Sequence, residues 1–212
     1  QYMIQRRGYN PGLSFGAWAG SRLVGFILNG TGMWQGQFTA YDTGTGMVQE
    51  YRKRGLASRL FSESLPHLKR AGISRYLLEV IRTNTGAFDL YQKAGFEVSR
   101  WFEYYRMNCA DVPEPVETDF LVKPITLSEA LEFRSIDTFI PSWQNSPDAL
   151  LRKKDCLKCL AAVNKGVTTG VVVVEPHTGD IPLLLVDNGN RKMGVGTQLF
   201  RSAVKLITTP GV

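Results

Sequence analysis

One ten-residue segment occurs twice. Arg52 to Phe61 reads R-K-R-G-L-A-S-R-L-F, and Arg191 to Phe200 reads R-K-M-G-V-G-T-Q-L-F, 139 residues later. A repeat at that spacing predicts a tandem architecture. Each copy places basic side chains before a glycine, and after it apolar residues recur at helical spacing: Leu56, Leu60, Phe61 and Leu65 in the first. A glycine at that junction lets backbone approach a ligand, because no Cβ stands in the way. The first helical turn then offers unpaired N–H groups and the positive end of its dipole, which together favour an anion. Arg52, Lys53, Arg54 and Gly55, running into Leu56, Ala57 and Ser58, thus form a candidate phosphate or pyrophosphate cradle. A solvated basic turn entering a helix would use the same residue types.

The residues downstream decide between these readings. Arg75 to Val80 is a short apolar strand, Asn84 sits in a polar turn, and Ala87, Leu90, Tyr91 and Ala94 share one face of a short helix stopped by Gly95. Phe96 and Val98 begin another strand, and Trp101 to Met107 is expected to finish the domain as an aromatic-rich strand. The full matches to R-x-x-G-x-A at Arg52 to Ala57 and to E-V-x-x-x-N-x-x-A-x-x-L-Y-x-x-x-G-F at Glu79 to Phe96 resemble the GNAT superfamily of N-acetyltransferases. Within it, the second pattern is similar to the subgroup of ribosomal-protein N-terminal acetyltransferases. The resemblance covers roughly Leu13 to Met107, with a weaker echo over the rest.

That resemblance implies an α/β (α+β) fold: a mixed central sheet with splayed parallel strands and flanking helices, in tandem with a second, partial copy. The domains are expected at 1–110 (catalytic, its N-terminal helices partly missing), 111–124 (a linker holding Pro113, Pro115 and Pro124) and 125–212 (an incomplete copy). Copy one runs 55 residues from Arg52 to Met107, so by the same count copy two would reach about residue 246. The start at Gln1 rather than Met leads us to expect residues upstream.

The resemblance also implies acetyl-CoA as cosubstrate, without a metal, and a primary amine of a small molecule or a protein N-terminus as acceptor; the alternative is a module of the same fold that holds CoA or scaffolds without turnover. In such a fold the pantetheine arm lies in the splay beside the Phe38 to Val48 strand, paired with main chain near Gly46 and Met47, and the pyrophosphate meets Arg52 to Ser58. Asn84 is expected to hydrogen-bond the arm, and N–H groups near Met47 or Val48 to meet the oxyanion. Acetyl transfer needs a neutral amine, and an amine of pKa ~8–10 is mostly protonated at neutral pH, so a base must act. Glu79 occupies the family's base position, with Asp42 or a water chain as alternatives. Tyr91 matches the tyrosine that protonates the leaving thiolate, and a phenol of pKa ~10 suits that task. Gln49 departs from the usual proline and suggests a more mobile loop. Copy two matches at Arg191, Gly194 and Gly196 but lacks counterparts of Glu79, Asn84 and Tyr91, so it is expected to be structural or to form a wall on the acceptor side.

Taken in order, Gln1 to Asn10 is polar, and Leu13 to Trp18 and Leu23 to Leu28 form a hairpin. Gly30, Gly32 and Gly36 mark a loose connection, and Gly44 and Gly46 suggest a bulge in the next strand. Ser128 is expected to cap a helix running to about Phe139, and Ser146-Pro147 to open another. Cys156 and Cys159 fall in an apparent amphipathic helix without the partners of a zinc site, so the three cysteines read as reduced thiols of a cytoplasmic protein. No run approaches the ~20 apolar residues of a membrane span. The net charge of +6 is uneven: residues 1–110 hold 14 Lys/Arg against 7 Asp/Glu, and residues 111–212 hold 11 against 12. A polyanionic cofactor explains this better than nucleic acid does, since no aromatic-rich basic stripe accompanies it. A homodimer is left open.

Overall fold

The computed structural model describes residues 2–114, 118–134 and 139–208. Contacts divide the chain into two units, between Phe102 and Glu103. The first unit opens with α1 (Tyr2–Arg6), then β1 (Phe15–Ala19), β2 (Arg22–Trp34) and β3 (Gln37–Met47) form an antiparallel meander. β4 (Arg75–Leu77) pairs with β3 in parallel. A parallel pair requires a crossover, and α2 (Leu56–Arg70), the helix behind the basic loop, supplies it. Its Leu60 and Phe61 pack with Ile27, and partly buried Tyr76, Tyr91 and Phe96 close round them. Phe61 is 1% exposed, and burying a side chain of that size contributes about 2–3 kcal/mol. α3 (Thr85–Lys93) follows, its first turn capped by Asn84, whose Oδ1 accepts from the Ala87 N–H at 3.3 Å.

Two features of β3 shape everything near it. Leu28 pairs with Gly44 but Asn29 with Asp42, so Thr43 is an extra residue, a bulge where the glycines suggested one. In addition, pairing between β3 and β4 covers only Thr39–Tyr41 with Arg75–Leu77, while β3 runs on to Met47. From Asp42 onward its outer edge has no strand partner among the described residues. The strands fork.

The second unit holds β5 (Leu121–Ile125), β6 (Lys158–Asn164), β7 (Val167–Val174) and β8 (Leu183–Val186), antiparallel in that order. Successive strand residues face opposite sides. Cys159, Ala161, Val171 and Val173 therefore enter one core with Ala130 of α4 (Leu127–Phe133) and Leu150 of α5 (Pro147–Leu151). Leu160, Ala162, Val172 and Val174 enter another with Val195, Leu199 and Ala203 of α6 (Val195–Val204). β5 begins inside the stretch expected as a linker, of which 115–117 lie outside the described residues; Pro124 fits because β5 is an edge strand.

Several local expectations are corrected. The polar start is α1 followed by a bridge from Tyr9 to Gly30, and Gly30 and Gly32 lie within β2 rather than in a loose connection. Trp101 to Met107 forms no strand; aromatic content alone is insufficient when β4 offers a three-residue ladder. The strands at Arg75 and Ile181 are shorter than expected, at Arg75–Leu77 and Leu183–Val186. Cys156 sits in a 3-10 turn and Cys159 on β6, because the apolar residues there serve a two-faced strand. Thr126, not Ser128, caps α4 through a reciprocal box with Glu129. The remainder of that expected helix, 135–138, lies outside the described residues.

Gly30 is where the N-terminal segment touches β2 backbone, and a Cβ there would run into the Arg7 carbonyl. Gly30→Ala should lower the melting temperature by roughly 4–8 °C, equivalent to about 2 kcal/mol. Gly86→Ala, in α3 with open space at its Cβ, should leave it unchanged or slightly higher. Equal melting of both proteins would remove the steric reason for Gly30.

Candidate functional site

The basic loop adopts the same backbone in both units. Lys53 and Gly55 have φ of 58° and 74°; Lys192 and Gly194 have 63° and 83°. In each, a 3-10 turn (Gln49–Tyr51, Asn188–Asn190) precedes the arginine. Arg52 Nε donates to the Met47 carbonyl at 3.0 Å, and Arg191 Nε to that of Val186 at 3.1 Å. A left-handed lysine is strained, by about 1–2 kcal/mol, and the arginine brace opposes that strain. Arg52 is therefore partly structural: one of its five N–H donors holds the loop. Arg54 lies over the Tyr51 ring at 5.2 Å. Gly55 caps α2 in the left-handed region with open space around it, so the N–H groups of Leu56, Ala57 and Ser58 face an uncrowded cradle.

Main-chain direction at the fork follows from one hydrogen bond. The Val48 N–H donates to the Val24 carbonyl at 2.9 Å, which makes Gly25 and Met47 a non-hydrogen-bonded pair. Met47, and by alternation Thr45, turn their N–H and C=O groups to the open edge. Gly46, expected to pair there, turns its own toward β2; its lack of a side chain makes room for the Phe26 ring. Of the two N–H groups expected to meet an oxyanion, that of Val48 is committed to the ladder and that of Met47 faces the open edge.

The bulge sets a buried carboxylate beside the open edge. Asp42 is 6% exposed, and its Oδ2 accepts from Thr45 Oγ at 2.7 Å and from the Tyr91 hydroxyl at 3.3 Å. Burial pushes the Asp42 carboxyl above the usual range, against the hydrogen bonds from Thr45 and Tyr91. Tyr91 is pushed up by burial and by the Asp42 charge. Its ring is held edge-on between Phe61 and Phe96, at 5.7 and 5.8 Å. Nearby, the Tyr76 hydroxyl donates to Asn29 Oδ1 at 2.6 Å.

The other sheet face is separate. Tyr41 precedes Asp42 and so points the opposite way. Its hydroxyl bonds Glu79, and burial followed by the Glu79 charge raises its pKa. The Arg7 guanidinium lies 5.9 Å from the Tyr41 ring centre, and Arg7 Nη1 donates to the Thr43 carbonyl at 2.8 Å, pinning the bulge. Glu79 also acts on Arg100, which stacks over Trp34 and Phe102. Glu79 stands two residues past the end of β4, exposed and in line with the fork. Glu79 and Tyr91 thus approach the fork from opposite faces. Asn84 uses its oxygen to cap α3, leaving its NH2 group to donate elsewhere.

Sequence reasoning missed Arg7, Tyr41, Thr45 and Arg100. Thr45 was legible as a hydroxyl beside the suspected bulge; Arg7, distant in sequence and outside every motif, carried no signal. Among the described residues no cluster of His, Cys, Asp and Glu could hold a metal, and no helix is long and apolar enough to cross a membrane.

Residues 1–96 match the acetyltransferase (GNAT) family. The chain is 30% identical over 101 residues to the N-alpha-acetyltransferase MAK3 of Arabidopsis thaliana, covering 48% of this chain and 53% of that protein. It is 30% identical over 97 residues to N-alpha-acetyltransferase 30 of Schizosaccharomyces pombe, covering 45% and 65%. The chain thus spans between half and two thirds of these relatives' length. A tandem GNAT protein from the clavulanic acid biosynthesis pathway superposes with a TM-score of 0.63 at 15% identity, covering 96% of this chain and 73% of that one; this likeness concerns the fold.

Asp42 allows a stability test. Its folded-state pKa is raised, so its contribution is fully present below the ordinary carboxylate value of 3.8 and is lost as pH rises through the folded value. Asp42→Asn should therefore gain on the parent protein in melting temperature between about pH 4 and pH 8. A difference that stays constant over that range would show that Asp42 carries no buried charge.

Proposed function

Starting from a chain that belongs to the GNAT family and carries its fold in tandem, we propose an acetyl-CoA-dependent N-acetyltransferase with the first unit as its catalytic half. The observation that carries this reading is the fork between β3 and β4, with the α2 cradle at one end and a titratable group on each face. The residues fit the cosubstrate. Outward groups of Met47 and Thr45 would pair with the pantetheine arm as an added strand would, and the Asn84 NH2 would donate to it. The N–H groups of Leu56, Ala57 and Ser58, with Lys53, Arg54 and the remaining donors of Arg52, would hold the pyrophosphate. Gly46 and Val48 shape the strand between them.

When bound, acetyl-CoA supplies a thioester carbonyl and a thiol leaving group. The Met47 N–H is the donor available to polarise that carbonyl. Glu79 would take the amine's proton on the Tyr41 face, directly or through water, and Tyr91 would give a proton to the sulfur on the opposite face. Attack from one side and departure on the other suits substitution at a carbonyl, and keeps base and acid from neutralising each other. The acceptor is a primary amine. Likeness to two N-alpha-acetyltransferases favours a protein N-terminus over a small molecule. Unit two keeps the loop geometry of the first, with the same arginine brace and left-handed lysine and glycine. A reducing, cytoplasmic setting agrees with the free cysteines, of which Cys159 is buried with its thiol pushed up to about 11.

Calorimetric titration with acetyl-CoA should give one site per chain, weakened at least ~10-fold by reversing charge at Arg52 and Arg54 together. Absence of binding by the parent protein would sink the enzyme reading. Tyr91→Phe should bind acetyl-CoA within about two-fold of the parent, yet release thiol about 100-fold more slowly with a peptide bearing a free α-amino group. Unchanged thiol release would take Tyr91 out of the chemistry. No release with that peptide, but release with a small polyamine, would move the acceptor to the small-molecule class.

A further inference from the structure

Asp42 belongs to no motif, yet it is the buried carboxylate closest to Tyr91. Its Oδ2 takes two hydroxyl donors, Thr45 at 2.7 Å and Tyr91 at 3.3 Å, and its Oδ1 has no hydrogen-bond partner among the described residues. We propose that Asp42 is a positioning residue for Tyr91: its carboxylate, held by Thr45, directs the Tyr91 hydroxyl and keeps the proton on it. The Gly44 main-chain N–H also acts on the carboxylate as a donor, and a buried carboxylate with donors this few is a strong acceptor for each. The Tyr91 ring cannot swing, because Phe61 and Phe96 hold it edge-on from two sides. Only its hydroxyl hydrogen is free to turn, and Asp42 fixes where that hydrogen rests.

The consequence is electrostatic. Ionising Tyr91 would set a second negative charge 3.3 Å from Asp42 in a site screened poorly by water. Other titratable groups around Asp42 are Tyr76 from β4, Tyr41 beside it on β3, and Arg7 from the segment after α1. Of these only Arg7 is a cation, and its contribution at Asp42 is the smallest of the resolved ones. This environment meets a conflict in amine acetylation. The acceptor amine is neutral only toward high pH, at about 8–10, where an ordinary tyrosine near 10 begins to lose the proton the reaction requires of it. With Asp42 beside it, Tyr91 stays protonated while the amine is deprotonated. In the reaction Tyr91 turns its one hydroxyl proton from Asp42 to the sulfur, which takes that proton and the electron pair of the broken C–S bond as the N–C bond forms. Tyr91 then regains a proton from solvent, to which the amine's proton passes through Glu79.

The catalytic part rests on Tyr91 being the acid, but the coupling can be read without acetyl-CoA or acceptor. The probe is the full chain carrying tyrosine labelled with carbon-13 at Cζ, followed by NMR, with the Tyr91 signal assigned by its loss in Tyr91→Phe. Carried to about pH 11.5, the Tyr91 signal of Asp42→Asn should move toward the tyrosinate position ahead of the parent's by about one pH unit, a ten-fold change in proton affinity. Coincident curves, including two that never move, would overturn the proposal. The parent alone gives a second reading, needing no variant. Its Tyr91 signal should also step at the acid end as Asp42 gains its proton, with a midpoint above 3.8. No step there would equally overturn the coupling. A thiol-release assay then separates the two ideas: Asp42→Asn should slow release about 10-fold in the parent background and less than about 2-fold in Tyr91→Phe. Equal slowing in both backgrounds means that Asp42 acts other than through Tyr91. Coupled titration with no thiol release by the parent would instead fail the enzyme reading and leave the Asp42–Tyr91 pair standing.

Discussion

The structure depends on β3 leaving β4. Three residue pairs hold the strands together, and beyond Tyr41 the edge of β3 is open. An open edge is ordinarily a liability, because unpaired N–H and C=O groups invite another chain. Here the exposed groups belong to Thr45 and Met47, and the strand is kept in place from its other side by the ladder to β2 and by Arg7 at the bulge. The Arg52 brace to the Met47 carbonyl ties the end of the open edge to the loop that enters α2. Edge and cradle are thereby one mechanical piece, and a ligand spanning both meets donors whose positions are already set.

The second unit shows which part of this piece local sequence can dictate. Arg191, Lys192 and Gly194 reproduce the brace and the positive φ values, and the Asp187 N–H donates to the Thr169 carbonyl at 2.9 Å as that of Val48 does to Val24. The two segments differ at five of ten positions, so the backbone is set by the arginine, the glycine and the strand end rather than by the whole decamer. The side chains beside the open edge are a different matter. Tyr91 and Asp42 meet across 49 residues, and nothing within the decamer demands them.

That difference explains what could be read in advance. α2 was legible almost to its ends because Gly55, the apolar spacing and the basic last turn all act locally. The bulge was legible as two glycines in a strand, though the inserted residue is Thr43 beside them. Tyr91 and Glu79 were legible through a family resemblance, but their lying on opposite faces depends on strand parity across the fork, which no motif states. Cys156 and Cys159 misled because a strand buried on both faces has no period of two in its hydrophobicity, and a short window of it passes for a helix. Trp101 to Met107 misled in the reverse sense: its aromatic content favours a strand, yet Tyr104 and Tyr105 are more than four-fifths exposed and no ladder among the described residues receives them.

The bulge also ties stability to chemistry. Thr43 as an extra residue shifts Asp42 into register with Asn29, on the face where Tyr76 and Tyr91 stand. Were the same residues to run on without the bulge, side chains three apart would face opposite sides of the sheet. Thr45 would then no longer share a face with Asp42, and its hydroxyl could not reach the carboxylate. A buried acid with an unpartnered oxygen is an unfavourable thing to keep. An apolar residue at the same place would give a more stable sheet and leave the Tyr91 hydroxyl without an acceptor. Local destabilisation of this kind, set beside the Tyr91 hydroxyl and maintained by a bulge that Arg7 pins from the other face, is better understood as a functional constraint than as imperfect packing.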